Sequence, residues 1–132
     1  MVLPRISTNV RVQPQLPDAD PLGLFLDSLT RYSECDASTL VLPSHGLPFY
    51  GLHDRVKLLH QHHAKRLDEL RRACDEPRTG AEAMRVLLKR ALDSHQTLFA
   101  MGETMSHLNY LRCRGQLKRE RGADGIYRFT RN

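Results

Sequence analysis

The sequence predicts a mainly α-helical fold with short β elements: a strand–helix–strand front, then three helices and a β-hairpin in the order of a winged-helix domain. Three observations predict it. Apolar residues recur at helical spacing in three stretches after Leu52. Two short segments at the end, Leu117–Arg121 and Ile126–Thr130, flank an Asp124-Gly125 turn. Ahead of them, about 50 residues hold strand-like segments without enough partners to close a sheet.

Each element has its own signal. Val2–Ile6 alternates like a strand, although Pro4 confines it to an edge or a strand end. Pro14 and Pro17 mark an irregular connector. Asp20-Pro21 starts a helix, with Asp as N-cap and Pro at the first helical position. Leu22, Phe25, Leu26 and Leu29 give it one apolar face as far as about Tyr32. Thr39–Leu42 is short, apolar and partly β-branched, which predicts a buried strand stopped by Pro43. The segment from Ser44 to Gly51 is rich in turn formers.

Leu52, Val56, Leu59, His63, Leu67, Leu70 and Cys74 then form one stripe of a long helix, ended by Asp75-Glu76-Pro77. Thr79 and Glu82 make a capping box for a second helix whose apolar face is Met84, Leu87, Leu88 and Ala91. A third helix includes Glu103–Arg114, with Met105, Leu108 and Leu111 inward and Gly115 at its C-terminal end. We place a boundary near Tyr50–Leu52, giving regions 1–51 and 52–132.

Hydrophobic residues make up 40% of the chain and charged residues 27%, which excludes a disordered or fibrous protein. No apolar run approaches the ~18 residues of a membrane span, so no membrane association is expected. The N-terminus carries no signal-peptide pattern. Three cysteines far apart in sequence, Cys35, Cys74 and Cys113, argue against a disulfide framework. Cytoplasmic location is therefore the expectation, and no cysteine has a readable base to make it a nucleophile. From Leu111 to Asn132 seven basic side chains face two acidic ones, so the whole net charge of +5 sits there and the first 110 residues balance. A basic end on a neutral body suggests an anionic partner or a solvated tail.

Three groups of residues could carry chemistry. Pro43-Ser44-His45-Gly46 puts a histidine directly after a strand, where side chains emerge from a sheet, next to a glycine that permits close backbone approach. Such a histidine can bind a metal through one ring nitrogen, or be an ordinary turn residue. His53, His60, His62 and His63 cluster on the long helix. His63 lies on the apolar stripe and His60 and His62 flank it, which favours packed, hydrogen-bonded residues over a ligand set. Lys118, Arg119, Arg121 and Arg128 on the hairpin, interleaved with Tyr127 and Phe129, suit electrostatic contact with RNA or an anionic substrate. The start of the third helix instead offers Glu103, Ser106 and His107, a poor set for reading DNA bases. Tyr127 and Phe129 share a face of their strand, which equally suits packing on that helix.

The stretch TLVLPSHG at 39–46, followed by PFYG at 48–51 and the helix carrying HHAKRLDEL at 62–70, resembles the C-terminal part of the metallo-β-lactamase superfamily. More narrowly, it resembles members that carry a winged-helix-like domain after an αββα core. In those proteins a strand ends in a Pro-Gly-His-Gly-like motif whose histidine binds the second zinc. His45 occupies that place, with Ser44 in place of the usual glycine. MVLPRISTNV resembles the strand after the family's Gly-Asp motif, whose metal-bridging aspartate would fall just before Met1. The family's HxHxDH motif does not occur.

The resemblance implies that residues 1–51 are a remnant of the αββα core and 52–132 the accessory domain. It also implies a zinc-dependent hydrolase as parent, with Arg66 at the active-site rim and the N-terminal catalytic core as missing partner. Relatives cleave thioesters, lactones, β-lactams or phosphodiesters, and nothing here selects among them. With one metal ligand of the several that zinc needs, this chain alone is expected to hold no zinc tightly and to be inactive. If orphaned, the apolar residues of 22–42 would expose a patch that drives homodimerisation. The competing reading is an autonomous winged-helix module binding nucleic acid or a protein partner.

Overall fold

A computed structural model describes all residues, 1–132. The elements run α1 Pro21–Thr30, a 3-10 turn Arg31–Glu34, α2 Leu52–Ala73, α3 Gly80–Leu87, α4 Ser94–Cys113, β1 Leu117–Arg121 and β2 Tyr127–Arg131. Asp20 caps α1 by accepting from the Gly23 N–H at 2.9 Å, with Pro21 just inside. The stripe on α2 is buried as its spacing requires: Leu52, Leu59, His63 and Leu70 are nearly sealed from solvent. Both capping-box partners at Thr79 and Glu82 are engaged. Three helices and a two-stranded antiparallel hairpin thus follow Gly51.

The apolar residues divide into two clusters. The first joins Val2, Val10, Leu22, Leu26, Leu29, Leu52 and Leu59. The second joins Leu70, Cys74, Ala83, Leu108, Leu111, Leu117 and Phe129. Helix α2, about 33 Å long at 1.5 Å per residue, contributes to both and acts as the spine. Residues on either side of the Gly51–Leu52 junction share the first cluster. The connector before α1 crosses α4 and is tied to it. Val12 N–H donates to the Gly102 carbonyl at 3.1 Å, and the Asn109 amide donates to the carbonyls of Pro17 and Ala19 at 2.8 and 2.9 Å.

Several expectations are corrected. Val2–Ile6 forms no strand; it is an irregular strap whose Val2 and Leu3 are buried. Thr39–Leu42 is not a buried strand either. Only Val41 pairs, with Phe49, and Leu40 and Leu42 face solvent. A lone extended segment has no ladder to join, so its apolar residues cannot be covered. The second helix ends at Leu87, so Ala91 lies outside it and is exposed, while Ala83 is the residue it buries. The third helix contains the expected stretch and extends back to Ser94, where Asp93 and Gln96 form a second capping box. Ser106 and His107 face inward, not to solvent, and both are fully buried. The second hairpin strand is Tyr127–Arg131, with Leu117 opposite Arg131 and Arg121 opposite Tyr127. The turn is a longer loop, closed by Gly122 N–H donating to the Ile126 carbonyl, with Gly125 at φ 78°.

Candidate functional site

The strap and the loop after Val41 face each other across a cleft of about 560 Å³ lined by Pro4, Arg5, Ile6, His45, Leu47 and Phe49. Helix α2 fixes the strap from behind. Arg55 donates through Nε to the Leu3 carbonyl at 2.6 Å and through Nη2 to the Ile6 carbonyl at 3.0 Å. Ser7 Oγ lies 3.1 Å from His63 Nε2. The loop is pinned at its base by paired Val41–Phe49 backbone hydrogen bonds of 2.8 and 3.1 Å. Gly46 sits at φ +89°, where a side chain would also meet Pro4 Cγ at 2.8 Å. A glycine here therefore serves both the loop's backbone and its close approach to the strap.

His45 is exposed at this cleft. No three His, Cys, Asp or Glu side chains gather anywhere in the chain in a way that could hold a metal ion. A zinc site needs about three to four protein ligands, so the residues present do not fit one by themselves; His45 could contribute a single donor.

The histidines of α2 fall into different environments. His53 reaches the Tyr32 carbonyl at 3.2 Å. His60 is half-buried. His62 pairs with Arg66, whose Nε donates to His62 Nε2 at 3.3 Å and lies 3.9 Å from a Glu103 carboxylate oxygen. Burial, then the Arg66 charge, lower the His62 pKa. Arg66 is thus placed on the α2–α4 face, beside His62 and Glu103.

His63 makes a contact that the helical pattern of α2 does not show. Its Nδ1 lies 3.1 Å from His107 Nε2 in the seam between the two apolar clusters. His107 Nδ1 lies 2.8 Å from the Glu103 carbonyl, which can only accept. His107 therefore donates there and accepts at Nε2, His63 donates to His107, and Ser7 can donate to His63 Nε2. These contacts exclude only protons on both rings at once, because a singly protonated pair can run the other way, His107 donating to His63 Nδ1 and His63 to Ser7 Oγ. Burial, followed by the neighbouring His107, pushes the His63 pKa down to about 3. Burial likewise lowers that of His107, against the opposing pull of the Glu103 carbonyl. The Asp93/Gln96 capping box marks the start of α4, but which face of that helix meets α2 is set by packing and has no local signal.

The basic hairpin is largely neutralised within the chain. Arg119 pairs with Asp18 at 2.8 Å, Arg128 with Asp124 at 2.7 Å and Lys118 with Glu120 at 3.2 Å. Arg112, Arg114 and Arg131 pair with Asp18, Asp20 and Asp75. Arg121 has no carboxylate within 4.0 Å; it bonds the Gly125 carbonyl and lies near the Tyr127 ring, which Arg119 also covers. Three of these pairs reach back to the front of the chain, so the basic end holds down the connector and α1. Phe129 packs in the second cluster, whereas Tyr127 stays about half exposed.

Comparison with known proteins gives the family. A search of curated proteins finds no match. The model of the metallo-beta-lactamase-like C-terminal domain matches residues 67–132, half of the chain. The crystal structure of a beta-lactamase domain protein from Burkholderia ambifaria superposes with a TM-score of 0.95 at 49% identity, covering 99% of this chain and 39% of that one. A metallo-beta-lactamase family protein from Thermus thermophilus superposes with a TM-score of 0.81 at 32% identity, over 99% of this chain and 40% of its own. The chain thus spans about two fifths of the length of these structures. With its fold, its order of elements and its matched domain in agreement, the chain belongs to the metallo-β-lactamase superfamily and corresponds to its C-terminal part.

Proposed function

We propose that this chain is the C-terminal part of a zinc-dependent metallo-β-lactamase-fold hydrolase and is inactive alone. In this reading His45 supplies one ligand to a metal site whose other ligands belong to the αββα core. The observation that carries it is the near-complete superposition of this chain on about two fifths of a relative with 49% identity. His45, exposed at a cleft without companion ligands, supports the same reading. Residues 52–132 act as a winged-helix-like accessory domain, with α2 joining them to residues 1–51, and Arg66 lies towards the rim of the completed site.

The test has two parts. The coding frame upstream of Met1 should encode Gly-Asp at the join and HxHxDH further up; an in-frame stop just upstream would overturn the proposal and leave an autonomous module as the reading to pursue. Metal analysis of the 132-residue chain should find no stoichiometric zinc after mild chelation, whereas the longer protein should hold zinc and lose it, together with hydrolase activity, on His45→Ala. A tightly held zinc in the short chain would contradict the proposal.

A further inference from the structure

Independently of the hydrolase reading, we propose that Arg112 of α4 and Arg119 of β1, with Arg121 on the same strand, form a seat for a phosphate oxyanion that the carboxylate of Asp18 occupies in the resting chain. One oxygen of Asp18, Oδ1, serves both guanidiniums: it lies 2.8 Å from Arg119 Nη1 and 3.4 Å from Arg112 Nη2. One negative charge thus faces two positive ones, and Arg121, which bonds only the Gly125 carbonyl, adds a third. The donors are not exhausted either, since Arg112 Nε is buried without a partner. The strand register puts Arg119, Arg121 and Tyr127 on one face of the hairpin and Lys118, Glu120 and Arg128 on the other, so no carboxylate of the two strands shares the seat.

Asp18 is placed to give way. Its side chain is 63% exposed, whereas those of Arg112 and Arg119 are 26% and 19% exposed, so the carboxylate can turn into water while the guanidiniums stay in position. An ion pair with so exposed a partner contributes little stability. The backbone around it is held separately. The Asn109 amide donates to the carbonyls of Pro17 and Ala19 at 2.8 and 2.9 Å, and Arg112 Nη2 donates to that of Asp18 at 3.2 Å. A phosphate brings more charge and more acceptor oxygens than the single oxygen the carboxylate uses, and a planar guanidinium fork can take two of them. The Tyr127 ring, about half exposed, lies 4.5 Å from the Arg119 guanidinium and 5.9 Å from that of Arg121. It offers a base a stacking surface beside the seat, which favours a phosphate carried by a nucleotide chain over a free one. Asp18 is then an internal stand-in for the ligand, and its contact with the two arginines is autoinhibitory.

The experiment titrates inorganic phosphate and, separately, a short oligouridylate into the 132-residue protein, following the Nε–H signals of Arg112, Arg119 and Arg121 by NMR. Saturable shifts at Arg112 and Arg119 are expected for at least one probe in Asp18→Asn, and at least threefold weaker binding in the parent, whose seat keeps its resident charge. In the Asp18→Asn background, Arg119→Gln should weaken binding at least tenfold and Arg119→Lys severalfold, because a point charge replaces the fork. Arg31→Gln, which removes an equal charge from an exposed position outside the seat, should change nothing. Equal affinity for the two probes assigns a seat for free phosphate. Tighter binding of the oligouridylate, weakened by added salt and by Tyr127→Leu, assigns a nucleotide chain. The absence of saturable shifts with either probe in Asp18→Asn, unchanged or weaker binding in Asp18→Asn than in the parent, or equal losses in Arg31→Gln and Arg119→Gln would overturn the proposal.

Discussion

His63 and His107 show how a neutral pair sets the acid limit of a fold. The chain from Ser7 through His63 and His107 to the Glu103 carbonyl holds while both rings are neutral. Protons on both rings would turn two N–H groups toward each other across 3.1 Å. His62, His60 and Arg66 add like charge around His63, and only Glu103 opposes it at His107. The unfolded chain therefore binds protons that the folded chain refuses. The stability this confers is fully present above about pH 6.5, the ordinary value, and is lost as pH falls toward 3. Urea midpoints measured from pH 7.5 to 4 should decline through that window. His63→Leu should flatten the decline and also lower the midpoint at pH 7.5, because His107 Nε2 loses its donor in a buried site, at about 1–3 kcal/mol. An unchanged acid slope in that variant would show that other groups control it.

At the scale of elements, the helix starts carry separable contributions. Thr79 and Asp93 each close a capping box, on α3 and α4, with both reciprocal bonds formed. Alanine at either position should cost about 1 kcal/mol, read as a lower denaturant midpoint with unchanged slope. Asp20→Ala should cost more than either, because Asp20 both caps α1 and holds Arg114 at 2.7 Å. A loss no larger than that of Thr79→Ala would make the ion pair inert, as exposed pairs often are. The same elements mark what is legible in the sequence. Helix α2 is readable because seven residues at regular spacing leave one face with nowhere else to go, and α3 because its cap is local chemistry. The α4 start is equally local at Asp93 and Gln96 but lies outside the apolar stripe that places that helix. Thr39–Leu42 reads as a strand and is not one, because a strand depends on neighbours and its composition cannot show whether they are present. His45 is marked by its motif, while the cleft it lines forms only once Pro4 of the strap folds back beside Gly46.

For the whole molecule, the front of the chain decides how it meets other chains. Leu24, Leu42, Leu47 and Tyr50 are each more than 60% exposed, while Leu22, Leu26 and Leu29 on the same helix as Leu24 are buried. Scattered exposed leucines are ordinary; several within residues 24–50, beside an extended segment with one backbone pairing, leave apolar surface with little of its own to cover it. The hairpin and α4 differ, because their charges are paired with Asp18, Asp20 and Asp75 and leave little net attraction for a second chain. Association of the chain on its own should therefore run through the front and be apolar in character. Sedimentation of the 132-residue protein should show reversible dimerisation that strengthens with concentration and persists at high salt, since screening weakens charge contacts but not apolar burial. Leu24→Lys combined with Leu42→Lys should shift the equilibrium toward monomer at least tenfold, whereas Arg119→Gln on the hairpin should leave it unchanged. Monomer at all concentrations would mean that the strap and α1 are self-sufficient, and a dimer sensitive to Arg119→Gln would place the contact on the hairpin.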